Sequence, residues 1–111
     1  MTIIENLEGM LARGQDTALL RFSLGNEYFK ARRFEDAVLH LRAAVAHDAA
    51  YSAAWKMLGK AFAEGGHDAR AEDAYEQGIA AAEAAGDRQA AKEMRVFLKR
   101  LRKPQGDGQA T

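Results

Sequence analysis

The sequence predicts an all-α fold of stacked helical pairs, and three observations predict it. First, residues 34 apart match: Leu24 with Leu58, Gly25 with Gly59, Tyr28 with Phe62, Ala37 with Ala71, Leu41 with Tyr75. Five small or apolar matches at one offset mark a unit that buries its apolar face only against its neighbours. Second, the 111 residues are 48% apolar and rich in alanine, with one proline and no strand-favouring run of Val, Ile or Thr. Third, apolar residues recur at helical spacing along most of the chain.

The first helix opens with Thr2 and Glu5 at capping-box spacing. Ile3, Ile4, Leu7, Met10 and Leu11 follow on helical spacing, and Gly14 supplies a left-handed stop. At the repeat offset Ile3, Leu7 and Leu11 fall on Ala37, Leu41 and Val45. The helix thus reads as the second half of an incomplete leading repeat, or else as an N-terminal helix whose spacing agrees by accident. Asp16 or Thr17 caps the next helix, which runs to about Arg32 with Leu20, Leu24, Tyr28 and Ala31 inward. Gly25 lies mid-helix at a cost of about 1 kcal/mol relative to alanine, which points to another backbone passing too close for a Cβ, and Gly59 repeats it. Phe34 to His47 forms the partner helix, with Ala37, Val38, Leu41, Ala44 and Val45 inward, Glu35 and Asp36 in its first turn and His47 in its last.

The second repeat follows: Tyr51 to Glu64, a Gly65-Gly66 turn, then Asp68 to Ala85 with Asp68 as N-cap. Gly86 ends that helix and Asp87 caps the last one. The last helix fits the repeat at an offset of 36, which puts Ala91, Met94, Leu98 and Leu101 inward; the 34 offset would bury Gln89, Lys92 and Glu93. One domain is expected over 1–103, with repeats at about 18–51 and 52–86, a capping helix at 87–103, a stop at Pro104, and a polar, disordered tail at 104–111.

The repeat period and its Leu-Gly, aromatic, Ala and Tyr/Leu markers resemble the tetratricopeptide repeat (TPR) family, in the small two-repeat form of bacterial proteins. That resemblance implies a right-handed α-solenoid: two full helix–turn–helix repeats flanked by an N-terminal helix and a C-terminal capping helix. It also implies that the first helices of successive repeats line a concave peptide-binding groove. Placed on that pattern, Leu19, Phe22, Asn26, Phe29 and Lys30 come from the first repeat and Ala53, Lys56, Lys60, Ala63 and Glu64 from the second. Lys92, Val96, Lys99 and Arg100 come from the closing helix. The groove then has an aromatic end and a basic end, with Glu35, Asp36, Glu72, Asp73 and Glu76 on second helices. Such a groove suits an acidic or C-terminal peptide anchored against Phe22; the other reading of the lysines is a solvated face. Of the clamp some family members use for a terminal carboxylate, only Asn26 matches: Phe22, Met57, Gln89 and Glu93 stand at its other positions, and Ala49 stands where the inter-repeat proline is typical.

Other chemistry finds little footing. With 16 basic and 16 acidic residues the chain has no global field for nucleic acid or anionic membrane. It has no cysteine, so disulfides, thiol catalysis and cysteine metal sites are excluded. His40 and His47 lie two turns apart, roughly 10 Å between Cα atoms, too far for one metal, and they and His67 read as surface or capping residues. There is no nucleophile elbow, phosphate loop or zinc motif, so neither catalysis nor a cofactor is expected. The basic run Lys92, Arg95, Lys99, Arg100, Arg102, Lys103 is a weak nucleic-acid signal on one short helix. Phe97 falls off the inward stripe, so an exposed aromatic beside Arg100 suits an interface or weak self-association. No apolar run spans a membrane, and the N-terminus carries acids where a signal peptide has bases, so a cytoplasmic adaptor is expected.

Overall fold

Six helices follow one another in the computed structural model, which describes residues 1–103: α1 (Ile3–Ala12), α2 (Ala18–Lys30), α3 (Phe34–His47), α4 (Ser52–Glu64), α5 (Asp68–Ala84) and α6 (Arg88–Arg102). Pro104 and the tail expected to be disordered lie outside the described residues.

Local chemistry sets the helix ends. Thr2 Oγ1 accepts from the Glu5 N–H at 3.1 Å, and the Thr2 N–H donates to Glu5 Oε1 at 2.9 Å, closing the capping box of α1. Gly14 follows with φ 91°. Thr17, not Asp16, caps α2 by accepting from the Leu20 N–H at 3.1 Å. Asp87 caps α6 through the Ala90 N–H at 3.0 Å. Asp68 is not the cap expected of it: His67 holds that position without a side-chain bond, and Asp68 is the first helical residue of α5, where its charge still favours the dipole.

The two repeats turn in the same way. The Arg33 N–H reaches the Tyr28 carbonyl at 2.9 Å, and at the equivalent place in the second repeat the His67 N–H reaches the Phe62 carbonyl at 2.8 Å. Both turns need a left-handed residue, and it is Gly66 (φ 85°) in one but Arg32 (φ 60°) in the other. Arg32 accepts a backbone cost of about 1–2 kcal/mol and lays its guanidinium 5.1 Å over the Phe34 ring. Ala31, expected inward, ends α2 as its C-cap and is exposed.

Packing explains the repeat markers. A Cβ on Gly25 would come within 2.7 Å of Leu41 Cδ2, and one on Gly59 within 2.7 Å of Tyr75 Cζ. What passes close is therefore a side chain and not the expected backbone: each glycine makes room for the large residue facing it from the second helix of its own repeat, so the sequence match is a match of contacts. Gly78 does the same job unannounced: its Cβ would lie 2.7 Å from Trp55 Cβ and would also meet Met94 Sδ. Ala37, Ala44, Ala54, Ala61 and Ala71 are completely buried and keep the helices close. In α6 the stripe given by the longer offset is the inward one, with Ala91, Met94 and Leu98 buried. Arg95 stands where that offset carries Gly59.

Helices pack only with near neighbours, as a stack requires: α2 with α3, α3 with α4, α4 with α5, α5 with α6, and first helices with each other. Helix α1 lies alongside α2 and has no buried residue.

Two aromatic expectations are corrected. Phe97 is half-buried, tilted against Tyr75 with ring centroids 5.8 Å apart, because the Phe97 side of α6 turns back toward α4 and α5. His40 is not a surface residue: it is 6% exposed and stacks on Tyr28 at 5.4 Å.

Candidate functional site

The first helices α2, α4 and α6 share one side of the stack, and the residues bridging them define its surface. Phe22 on α2 packs on Tyr51, just before α4, with centroids 5.0 Å apart. Phe22 is thereby half-buried and is a wall of the surface more than a free anchor. Phe29 is likewise half-buried, edge-on to Phe34 at 5.4 Å.

Lys60 joins all three helices. Its Nζ lies 5.7 Å from the Phe29 ring centre on α2 and 5.6 Å from that of Phe97 on α6, where ring quadrupoles hold a cation. Among the described residues it has no ion-pair partner. The aromatic and basic parts are therefore interleaved here, not separated at two ends. Phe97 belongs to this surface, although its place off the stripe had suggested solvent exposure.

Lys56 is spoken for: its Nζ bonds Glu93 Oε1 at 2.9 Å. Glu93, which also accepts from Gln89 at 3.2 Å, has its pKa lowered, by the Lys56 hydrogen bond above all. Glu93 thus cancels one groove lysine, a role that alignment with a basic clamp position concealed. Lys30 pairs with Glu27 at 3.1 Å. Asn26 is half-buried, and its side chain makes no hydrogen bond among the described residues. Lys92, Val96, Lys99 and Arg100 are exposed, and the hydrogen bond and the cation–aromatic contact that join α6 to α4 come from Glu93 and Phe97, not from these four.

The basic run is less available than its sequence implies. Arg95 pairs with Glu83, and Arg102 with Glu76 and Glu72, so three acids of the second helix α5 face bases of α6. A shallow pocket of about 200 Å³ beside Lys56, Ala53, Gln89 and Glu93 is a cavity on the first-helix side. A larger cleft, about 740 Å³, runs between second helices α3 and α5, with Trp55, Leu58 and Phe62 as floor and Arg42, Arg70 and Asp73 at its rim.

A polar network ties α1 to the first repeat. Tyr28 Oη donates to Glu8 Oε2 at 2.5 Å, which pushes the phenol pKa up to about 12. Arg21 Nη1 lies 3.1 Å from His40 Nδ1, so that nitrogen accepts and Nε2 carries the proton, 3.5 Å from Glu8 Oε2. Arg21 also grips Asp16 at 2.8 and 3.0 Å, and His47 reaches the same carboxylate at 2.9 Å; these bonds, Arg21's first, hold Asp16 far below the usual carboxylate range. Among the described residues no cluster of three His, Cys, Asp or Glu could hold a metal. None of their helices is long and apolar enough to cross a membrane.

No family profile matches the chain. It is 54% identical over 99 residues to TPR repeat-containing protein PA0015 of Pseudomonas aeruginosa, covering 89% of this chain and 94% of that one. The solution structure of protein BPP2914 from Bordetella parapertussis superposes with a TM-score of 0.79 at 50% identity, over 91% of this chain and 88% of that one. The crystal structure of MamA shares the fold at a TM-score of 0.68 and 24% identity, over 88% of this chain and 64% of that one. On the extent of its identity with PA0015, and on a stack whose glycine contacts recur from one repeat to the next, the chain belongs to the tetratricopeptide-repeat family.

Proposed function

We propose that this chain is a non-catalytic adaptor that binds a peptide or partner protein on the surface of α2, α4 and α6. Proteins of this family generally mediate protein–protein interaction, which supports the reading. The observation that carries it is Lys60: a cation held over two aromatic rings from neighbouring repeats, in no ion pair among the described residues although its charge reaches Glu93. A carboxylate arriving beside it completes a charge pair, and Phe29 and Phe97 offer apolar area to the adjoining side chain. The preferred ligand is therefore an acidic segment or a chain terminus. A cytoplasmic setting and a single folded unit over 1–103 belong to the same reading.

The test is binding of a pool of acidic and acid-terminated peptides, measured by fluorescence anisotropy at several salt concentrations. Lys60→Glu should weaken binding at least tenfold, roughly the 1.4 kcal/mol of one charge-assisted contact, and the salt dependence should fall with it. Equal binding by wild type and Lys60→Glu would reject the site.

A further inference from the structure

Helices α4 and α6 meet in rungs one turn apart. At the first rung Lys56 Nζ bonds Glu93 Oε1 at 2.9 Å; at the second Lys60 Nζ lies 5.6 Å from the Phe97 ring centre. Glu93 and Phe97 are four residues apart, as Lys56 and Lys60 are, so the two helices run in the same direction here. Residues at that spacing stand about 6 Å from each other on a helix face. Two unpaired lysines so placed would receive two carboxylates, but of this pair only Lys60 is in no ion pair among the described residues.

Acids stand on either side of Lys60 along α4. One turn back is Glu93, bonded to Lys56; one turn on is Glu64, exposed and 3.9 Å from Arg32. Glu93 is ionised at neutral pH, because the Lys56 hydrogen bond first and the Gln89 bond second hold its pKa low. Its oxygens accept one bond each, from Lys56 and from Gln89, and a carboxylate can accept about four. A further N–H donor can therefore bond it, whereas a second carboxylate would face its charge. The pocket beside it has the same preference. The charged groups lining it are Lys56, Asp87 and Glu93, one base and two acids, while Arg88 and Lys92 are their neighbours on α6 outside the lining.

We propose that Glu93 makes the surface of α2, α4 and α6 specific for a lone carboxylate, flanked two residues away by side chains that donate hydrogen bonds. This rests on the adaptor reading and narrows it. In an extended ligand lying along α4, side chains two residues apart share a side and are roughly 6.6 Å from each other, close to the spacing of the rungs. With one carboxylate at Lys60, the next same-side residue comes to Glu93, and in the opposite direction it comes to Glu64. A segment with alternate acids is disfavoured either way. An amide or a base at that position bonds Glu93 and leaves the pair with Lys56 in place.

Fluorescence anisotropy with two dye-labelled, end-blocked peptides tests this: Gln-Ala-Glu-Ala-Gln and Glu-Ala-Glu-Ala-Gln. Wild type should hold the single-acid peptide several-fold tighter. Glu93→Gln releases Lys56 and should reverse the order, holding the two-acid peptide about tenfold tighter. Glu83→Gln, which takes the same charge from the Arg95 pair, should keep the wild-type order. An order unchanged in Glu93→Gln, or reversed as fully in Glu83→Gln, would overturn the proposal. Lys60→Glu separates it from the adaptor reading: weakened binding of both peptides with no reversal in Glu93→Gln sinks the specificity alone. No binding of either peptide, or binding that Lys60→Glu leaves unchanged, sinks the adaptor site and the specificity together.

Discussion

At the scale of a single residue, His40 ties the stability of the stack to pH. It is a buried neutral imidazole facing Arg21 at Nδ1 and Glu8 at Nε2, with Tyr28 stacked on it and Asp36 nearby on its own helix. Burial, the largest effect, lowers its pKa below the ordinary 6.5, and Arg21 adds to this against the opposing pull of Glu8. The folded state therefore binds the proton less readily than the unfolded one. Its contribution is intact above the unfolded pKa and is lost as pH falls from there toward the folded value. Thermal melts should show stability dropping from pH 7 to about pH 5, above the carboxylate range; in His40→Gln that drop should be visibly smaller. Equal slopes would mean that His40 titrates alike in both states. The sequence did not reveal this residue, because a histidine on a helix reads as a polar surface group until α1 and α2 are brought over it. Arg32 was hidden for a similar reason: its positive φ is imposed by a turn that Gly66 makes without strain.

For the helices, legibility followed from what each position touches. Leu24, Gly25, Ala37 and Leu41 were readable because contacts between the helices of one pair recur in the next pair. The inward stripe of α6 was readable once the longer α5 was allowed two extra residues. Gly78 was not, because it meets Met94 and Trp55 across two different helices and has no glycine partner at the repeat offset. It makes a sharp prediction. Alanine would gain about 1 kcal/mol of helix propensity, but its methyl would press on Trp55 Cβ, which cannot swing away, at an overpacking cost of about 1–3 kcal/mol. Gly78→Ala should therefore be destabilising in urea melts despite its better propensity, and Gly59→Leu, driven into the Tyr75 ring, more so. A stabilised Gly78→Ala would show that α4, α5 and α6 do not meet as closely as described. The surface residues were only half legible. Lys56 and Lys60 look alike in sequence, yet one is neutralised by Glu93 and the other is stored over Phe29 and Phe97.

Considered as a whole molecule, the chain offers two faces of different character. The first-helix side is shallow and carries the cation–aromatic arrangement; the second-helix side has the larger cleft between α3 and α5. Volume favours the cleft for a ligand, whereas the Lys60 charge, in no ion pair among the described residues, and its ring partners favour the first-helix side. Surface ion pairs such as Arg95–Glu83 and Arg102–Glu76 add little stability, about 0–1 kcal/mol each, but they withdraw bases from the α6 surface that the sequence had left open to a polyanion. The measurement that tests the adaptor reading most directly is an NMR map of the labelled protein as the tightest acidic peptide is added. Shifts centred on Phe29, Lys60 and Phe97, reaching Asn26 and Lys56, are the predicted result. Shifts centred on Arg42, Arg70 and Asp73, with Lys60 unmoved, would contradict it and place recognition on the second helices.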